Sequence, residues 1–167
     1  MTDAFWGLAG ADWALLGAGF AAVLGGIGSA IGITIASAVV SGIVTEDGEK
    51  FGKLLPLAAM PATQGIYGFI SAVLVLIFFG IFGGNVGLEA AGGFKVFLAC
   101  QPVAWLCMVT AVYQGKTGAS AAGIVARRSE DSGKALILPA LVETYAVLSL
   151  IVTILMLLGL SQAYPVS

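Results

Sequence analysis

Charged positions interrupt this chain so rarely that the gaps between them outline its elements. No charge falls between Asp12 and Glu46, or between Lys53 and Glu89, and each gap exceeds the ~20 apolar residues needed to cross a bilayer as a helix. A third apolar run begins at Val96, is broken once at Lys116 and ends at Arg127-Arg128. A fourth follows Lys134 and is broken once at Glu143. The pattern predicts an all-α membrane protein with four transmembrane helices. The expected division is a tail over 1–12, a helical hairpin over 13–83, a loop over 84–94, a second hairpin over 95–160 and a tail over 161–167. A straight helix filling the first gap would be about 50 Å long, well beyond a ~30 Å hydrocarbon core, so some of its turns should project from the membrane.

The basic residues orient the bundle. Lys50 and Lys53 lie in the first loop and Arg127, Arg128 and Lys134 in the third, whereas the middle loop has only Lys95 and neither tail has any. Bases concentrate in cytoplasmic loops, so the first and third loops are expected inside, with both termini and the middle loop outside. The start, Met1-Thr2-Asp3-Ala4-Phe5-Trp6, lacks a basic leader region and the apolar run after it is too long for a signal segment, so the first helix should be retained.

Composition narrows the chemistry. The chain is 167 residues long, 59% apolar and 10% charged, with a mean hydropathy of +1.05, a balance suited to lipid rather than to water. Its net charge of −2 offers no basic field for nucleic acid. There is no histidine, which removes the commonest metal ligand and the usual general base at neutral pH. Cys100 and Cys107 share one side of a helix, too far apart to bridge, and read as packing residues.

A shift of 81 residues superimposes the two halves. It lays Gly42-Ile43-Val44 on Gly123-Ile124-Val125, Glu49 on Glu130, Gly52-Lys53 on Gly133-Lys134, and Thr63 on Thr144. The chain is therefore a tandem repeat of one hairpin, with both copies running the same way through the membrane. Parallel repeats of this kind stack side by side and tend to close into rings, unlike the inverted repeats of many transporters. Gly17, Gly19, Gly25, Gly26, Gly28 and Gly32, followed by Ala36, on the first helix and Gly115, Gly118, Ala119, Ala122 and Gly123 on the third recur at the spacing that lets helix backbones approach. These two helices are expected on a crowded inner wall, with the second and fourth outside. Gly26-Ile27-Gly28-Ser29 is not a phosphate loop, because no strand precedes it and no lysine follows.

Glu143 is the residue that needs a reason. It lies about 13 Å along its helix from Lys134, and a carboxyl group at that depth costs roughly 2.5–3.5 kcal/mol. Its repeat counterpart is Ala62, so one hairpin of the two carries the acid. Thr63 and Gln64 sit at nearly the same depth, and Gln114 approaches it from the third helix. A hydroxyl, two amide oxygens and a carboxylate suit a small hard cation; the alternative is that the three neutral side chains merely bond across helices. Pro61 lacks an N–H, frees the Leu57 carbonyl and distorts that turn. Tyr67, one turn after Thr63, is in reach of the carboxylate. Lys116 either snorkels towards the cytoplasmic side or pairs with Glu143.

On a doubled hairpin, the segments Pro61-Ala62-Thr63-Gln64-Gly65-Ile66-Tyr67-Gly68, Tyr113-Gln114-Gly115-Lys116 and Leu141-Val142-Glu143-Thr144-Tyr145-Ala146 resemble the membrane rotor proteolipid, known as the K or c subunit, of V-type and A-type ATPases. The resemblance implies a homo-oligomeric ring in the lipid bilayer. It implies Na+ bound by Thr63, Gln64, Gln114, Glu143 and the backbone carbonyl of Met60, with the Tyr67 hydroxyl on the carboxylate; the alternative cargo is H+ alone. It further implies a stator subunit of the a/I type with an essential arginine, central-stalk subunits on the cytoplasmic side, and no bond chemistry in this chain itself. Two rivals are a small multidrug-type cation exporter, expected to be a dimer around a roomy aromatic pocket, and a purely structural four-helix protein.

Overall fold

A computed structural model describes residues 6–84 and 87–165. Residues 1–5, 85–86 and 166–167, which belong to the expected tails and middle loop, lie outside the described residues. The first span is one continuous helix, α1 (Gly10–Glu46), about 55 Å long at 1.5 Å per residue. Asp12 starts it by accepting a hydrogen bond from the Ala9 amide at 3.0 Å, which satisfies a donor that the helix itself cannot use. Asp47 ends it in extended backbone and accepts from the Glu49 amide.

The second span has two helical parts, α2 (Phe51–Ala59) and α3 (Thr63–Phe78), joined by a 3-10 turn over Met60–Ala62. The distortion expected at Pro61 is this local tightening. Across it the Thr63 N–H bonds the Met60 carbonyl, and Ser29 on α1 reaches the start of α3, accepting from the Gly65 N–H at 2.7 Å. Gly80 closes the span in the left-handed region, at φ 67°, a conformation that costs glycine nothing. The third span is α4 (Ala90–Arg127) and the fourth is α5 (Ser132–Ala135) followed by α6 (Ile137–Ala163). Helix α4 begins inside the stretch expected as loop, α1 begins inside the expected N-terminal tail and α6 ends inside the expected C-terminal tail. The four spans, Gly10–Glu46, Gly48–Phe78, Ala90–Arg127 and Ser129–Ala163, are each long and apolar enough to cross a membrane.

Helices α1 and α4 pack against each other along their length; α3 leans on α1 and α6 on α4. Glycine makes the central seam possible. A Cβ on Gly28 would stand 2.6 Å from the Met108 Cα and one on Gly17 2.8 Å from the Phe97 Cα, while Gly32 and Gly115 lie backbone to backbone. Any side chain at these positions would force the helices apart. Ala14, Ala18, Ala21, Cys100, Val103 and Cys107 fill one part of the interior, and Ala36, Leu54, Leu57, Ala121 and Val125 fill the part nearer the basic end. Both cysteines are buried and free.

The bases that mark topology also tie the hairpins together. Lys50 donates to the Ala126 carbonyl at 2.7 Å and Lys53 to the Ser129 hydroxyl at 2.8 Å. The first contact places a cation on the carbonyl end of α4, where the helix dipole favours it. At the opposite end Trp13, Phe94, Phe97 and Phe20 form an aromatic cluster, with Phe94 stacked on Phe97 and the other contacts edge-on, and Lys95 donates to the Tyr164 hydroxyl.

Candidate ion-binding site

Glu143 projects from α6 towards α3 and α4, and its carboxylate gathers donors from both. Oε2 accepts from the Thr63 hydroxyl at 2.9 Å, from Gln64 Nε2 at 3.1 Å and from Gln114 Nε2 at 2.6 Å. Oε1 accepts from the Tyr67 hydroxyl at 2.6 Å. Four donors on one carboxylate offset much of the cost of holding it away from water, since hydrogen bonds to a charged group contribute about 1.5–3 kcal/mol each.

The donors are themselves held. The turn after Pro61 points Thr63 and Gln64 inwards and leaves Tyr67 one helical turn along. Gln64 and Gln114 are fully buried, and Gln64 Nε2 also donates to Gln114 Oε1 at 2.7 Å. The second hydrogen of Gln114 goes to the Pro139 carbonyl at 3.1 Å. Pro139 and Ser29 are the two supporting groups that sequence reasoning missed. A proline four residues before the acid was the available signal for the first; nothing local marked Ser29, whose partner is 36 residues away.

The Thr63 hydroxyl reveals what the cluster can hold. It has one hydrogen and three oxygen neighbours: the Met60 carbonyl at 2.9 Å, Gln64 Oε1 at 3.3 Å and Glu143 Oε2 at 2.9 Å. One hydrogen cannot serve three oxygens, so at any moment two of these contacts bring lone pairs together. Oxygens about 3 Å apart are the neighbouring ligands of a hard cation whose own metal–oxygen distances are near 2.4 Å. Gln114 Oε1 adds a fifth oxygen, one Gln64 bond away. The donor set therefore fits a small cation as cargo.

Lys116 takes no part in this cluster. Its ammonium stands 5.1 Å from the centre of the Tyr113 ring, a cation–π contact, and among the described residues no ion pair joins it to Glu143. The pairing reading is thereby corrected: Lys116 follows Gln114 by two residues and leaves α4 on another face. Under the repeat shift, Ala62 occupies the position of Glu143, and the counterparts of Gln114 and Tyr67 are Ile33 and Leu148.

The family model for the ATP synthase C subunit matches this chain twice, over residues 16–75 and 97–156. The chain belongs to that family. Both matches fall on one hairpin each, so this rotor proteolipid is a doubled form of the two-helix unit. Among its relatives, the V-type sodium ATPase subunit K of Enterococcus hirae is 34% identical over 139 residues, covering 82% of this chain and 85% of that protein. The A-type ATP synthase subunit K of Methanocaldococcus jannaschii is 36% identical over 136 residues, covering 81% of this chain. The match spans 57% of the length of that second relative.

Proposed function

We propose that this proteolipid carries Na+ across the membrane, one ion per chain, by reversible binding at Glu143 in a rotating ring. The observation that carries the reading is the gathering of the Thr63 hydroxyl, the Met60 carbonyl and two buried glutamine amides around Glu143 Oε2; a proton would need the carboxylate alone. The name of the Enterococcus relative, a sodium ATPase subunit, points the same way.

The side chains account for both halves of a binding cycle. With the cation bound, Thr63, Gln64, Gln114, Glu143 and the Met60 carbonyl supply its oxygens, and the ion neutralises the carboxylate so that the site can pass through lipid. With the cation gone, each glutamine turns its amide to donate to the carboxylate, as Nε2 of both residues does here. Tyr67 holds Oε1 in either case and keeps the carboxylate aimed at the cluster.

Exchange takes place against an arginine of the a/I-type stator, the loops bearing Lys50 and Arg127 face the cytoplasm and the central stalk, and ATP hydrolysis in the soluble head drives rotation. One acid per four helices gives fewer ions per turn than one per hairpin, and hence more force per ion, which favours pumping over synthesis. Carbodiimide labelling of Glu143 at fixed pH tests the cargo. Sodium should slow the labelling, whereas a rate indifferent to sodium at every accessible pH leaves H+ as the cargo.

A further inference from the structure

Five of the seven bases flank the first and third loops and a sixth, Lys116, lies within α4; Lys95 alone stands at the other end of the bundle. Along α4 it is 32 residues from Arg127, about 48 Å at 1.5 Å per residue. A bilayer with its headgroups is about 40–45 Å thick, so the two bases stand at opposite headgroup layers. The Lys95 ammonium donates to the Tyr164 hydroxyl at 3.1 Å and, among the described residues, makes no ion pair. Tyr164 is held in turn, because its ring lies directly against α4, where a Cβ on Gly92 would stand 3.0 Å from it. Beyond their mutual bond, the ammonium has two hydrogens to donate and the tyrosine one. Three donors carrying one positive charge, at headgroup depth and without an acid partner, suit the oxygens of a phosphate.

An apolar groove of about 380 Å³ runs from Lys95 along Leu98, Leu155, Met156, Gly159 and Leu160, between α4 and α6. Gly159 opens it, since a Cβ there would have nothing within 4 Å. The internal repeat provides the contrast. Under the shift of 81, Phe78 takes the place of Gly159 and Phe79 that of Leu160, while Lys95 becomes Ala14 and Tyr164 becomes Gly83. Phe79 and Ala14 are buried. The first hairpin therefore fills with aromatic rings what the second leaves hollow, and it has neither the base nor the hydroxyl. Base, hydroxyl and hollow occur together, in one hairpin of the two.

We propose that the second hairpin binds an anionic phospholipid here, with its phosphate on Lys95 and the Tyr164 hydroxyl and one acyl chain in the groove beside Gly159. Basic pockets between membrane helices select anionic headgroups, and an apolar groove leading from the base accepts only a ligand with a hydrocarbon tail. The groove begins about 18 Å along α6 from Glu143, counting from Leu155, and the proposal is independent of which cation that residue carries.

The test uses the full chain in phosphatidylcholine vesicles. Each preparation contains a trace of phosphatidylglycerol or of phosphatidylcholine bearing a photoactivatable diazirine in its acyl chain, and labelled peptides are read by mass spectrometry. The phosphatidylglycerol probe should label residues 155–160 about fivefold more than the phosphatidylcholine probe does, the ~1 kcal/mol of one base near an anionic headgroup. Residues 74–79, the repeat equivalent, should show no such preference. Lys95→Gln should erase the preference, and Gly159→Phe, which imports the first hairpin's residue, should lower labelling by both probes. Equal labelling by the two probes in the unaltered chain overturns the proposal, as does a preference that survives Lys95→Gln. Absence of any label at residues 155–160 means that another copy covers the groove, and overturns it too. Undiminished labelling of Gly159→Phe overturns the seat assigned to the acyl chain.

Discussion

The two hairpins share one pattern, yet only the second carries an acid at membrane depth. Both have a threonine beside the critical position, Thr63 after Ala62 and Thr144 after Glu143, and both run the same way through the membrane. They differ in which neighbours converge. Glu143 on α6 meets Thr63, Gln64 and Tyr67 from the other hairpin and Gln114 from its own. Ala62 has as the corresponding partners Thr144, Tyr145, Leu148 and Ile33, which include no amide and far fewer donors. The site is thus a property of the junction between hairpins, where each contributes what the other lost.

Removing the acid should have the largest effect. Glu143→Gln is expected to leave the ring assembled and to abolish transport, with activity down by 100-fold or more, at least ~2.7 kcal/mol; normal transport by that variant would favour a structural protein. The comparison is sharper if the acid is moved. Ala62→Glu with Glu143→Gln should not restore transport, because Ile33 and Leu148 offer the displaced carboxylate no donor and its burial still costs roughly 2.5–3.5 kcal/mol. Recovered sodium uptake in that double variant would show that the flanking oxygens are dispensable.

Within the site the expected losses grade with the bond removed. Thr63→Val should weaken sodium protection against carbodiimide by about 100-fold, since it deletes an oxygen central to the cluster at ~3 kcal/mol. Tyr67→Phe should weaken it by about tenfold, because the hydroxyl acts on the carboxylate and not on the ion. Ser29→Ala should cost about threefold or less, the ~0.6 kcal/mol typical of one hydrogen bond between membrane helices. A loss for Ser29→Ala equal to that for Thr63→Val would mean that the turn at Met60–Ala62, rather than the oxygens, limits affinity.

The glycines draw a second contrast, within a single helix. Gly32 faces the backbone of α4 and Gly42 faces open space. Gly32→Leu should prevent the hairpins from docking and deplete folded protein in the membrane, whereas Gly42→Ala should change stability by no more than about 1 kcal/mol, the difference in helix propensity. Thermal unfolding of the extracted protein distinguishes the two.

Four spans, the tandem repeat and the acid at depth were legible in the residues alone, because each follows from a cost that a residue type incurs in lipid wherever its helix points. A charge at that depth is expensive in any orientation, so its position alone marked Glu143, and the bases marked the loops by the same rule. Rotation about the helix axis is a different quantity. These helices are apolar nearly all round, so the chain carries little signal for which side of α1 meets α4, and Gly28 looks no different from Gly26 until the backbones are packed. Tertiary structure alone decided that Gly28 is crowded and Gly26 open. It also brought Ser29 to the Gly65 amide, set Pro139 behind Gln114, and gathered side chains of α3 and α4 around one carboxylate on α6.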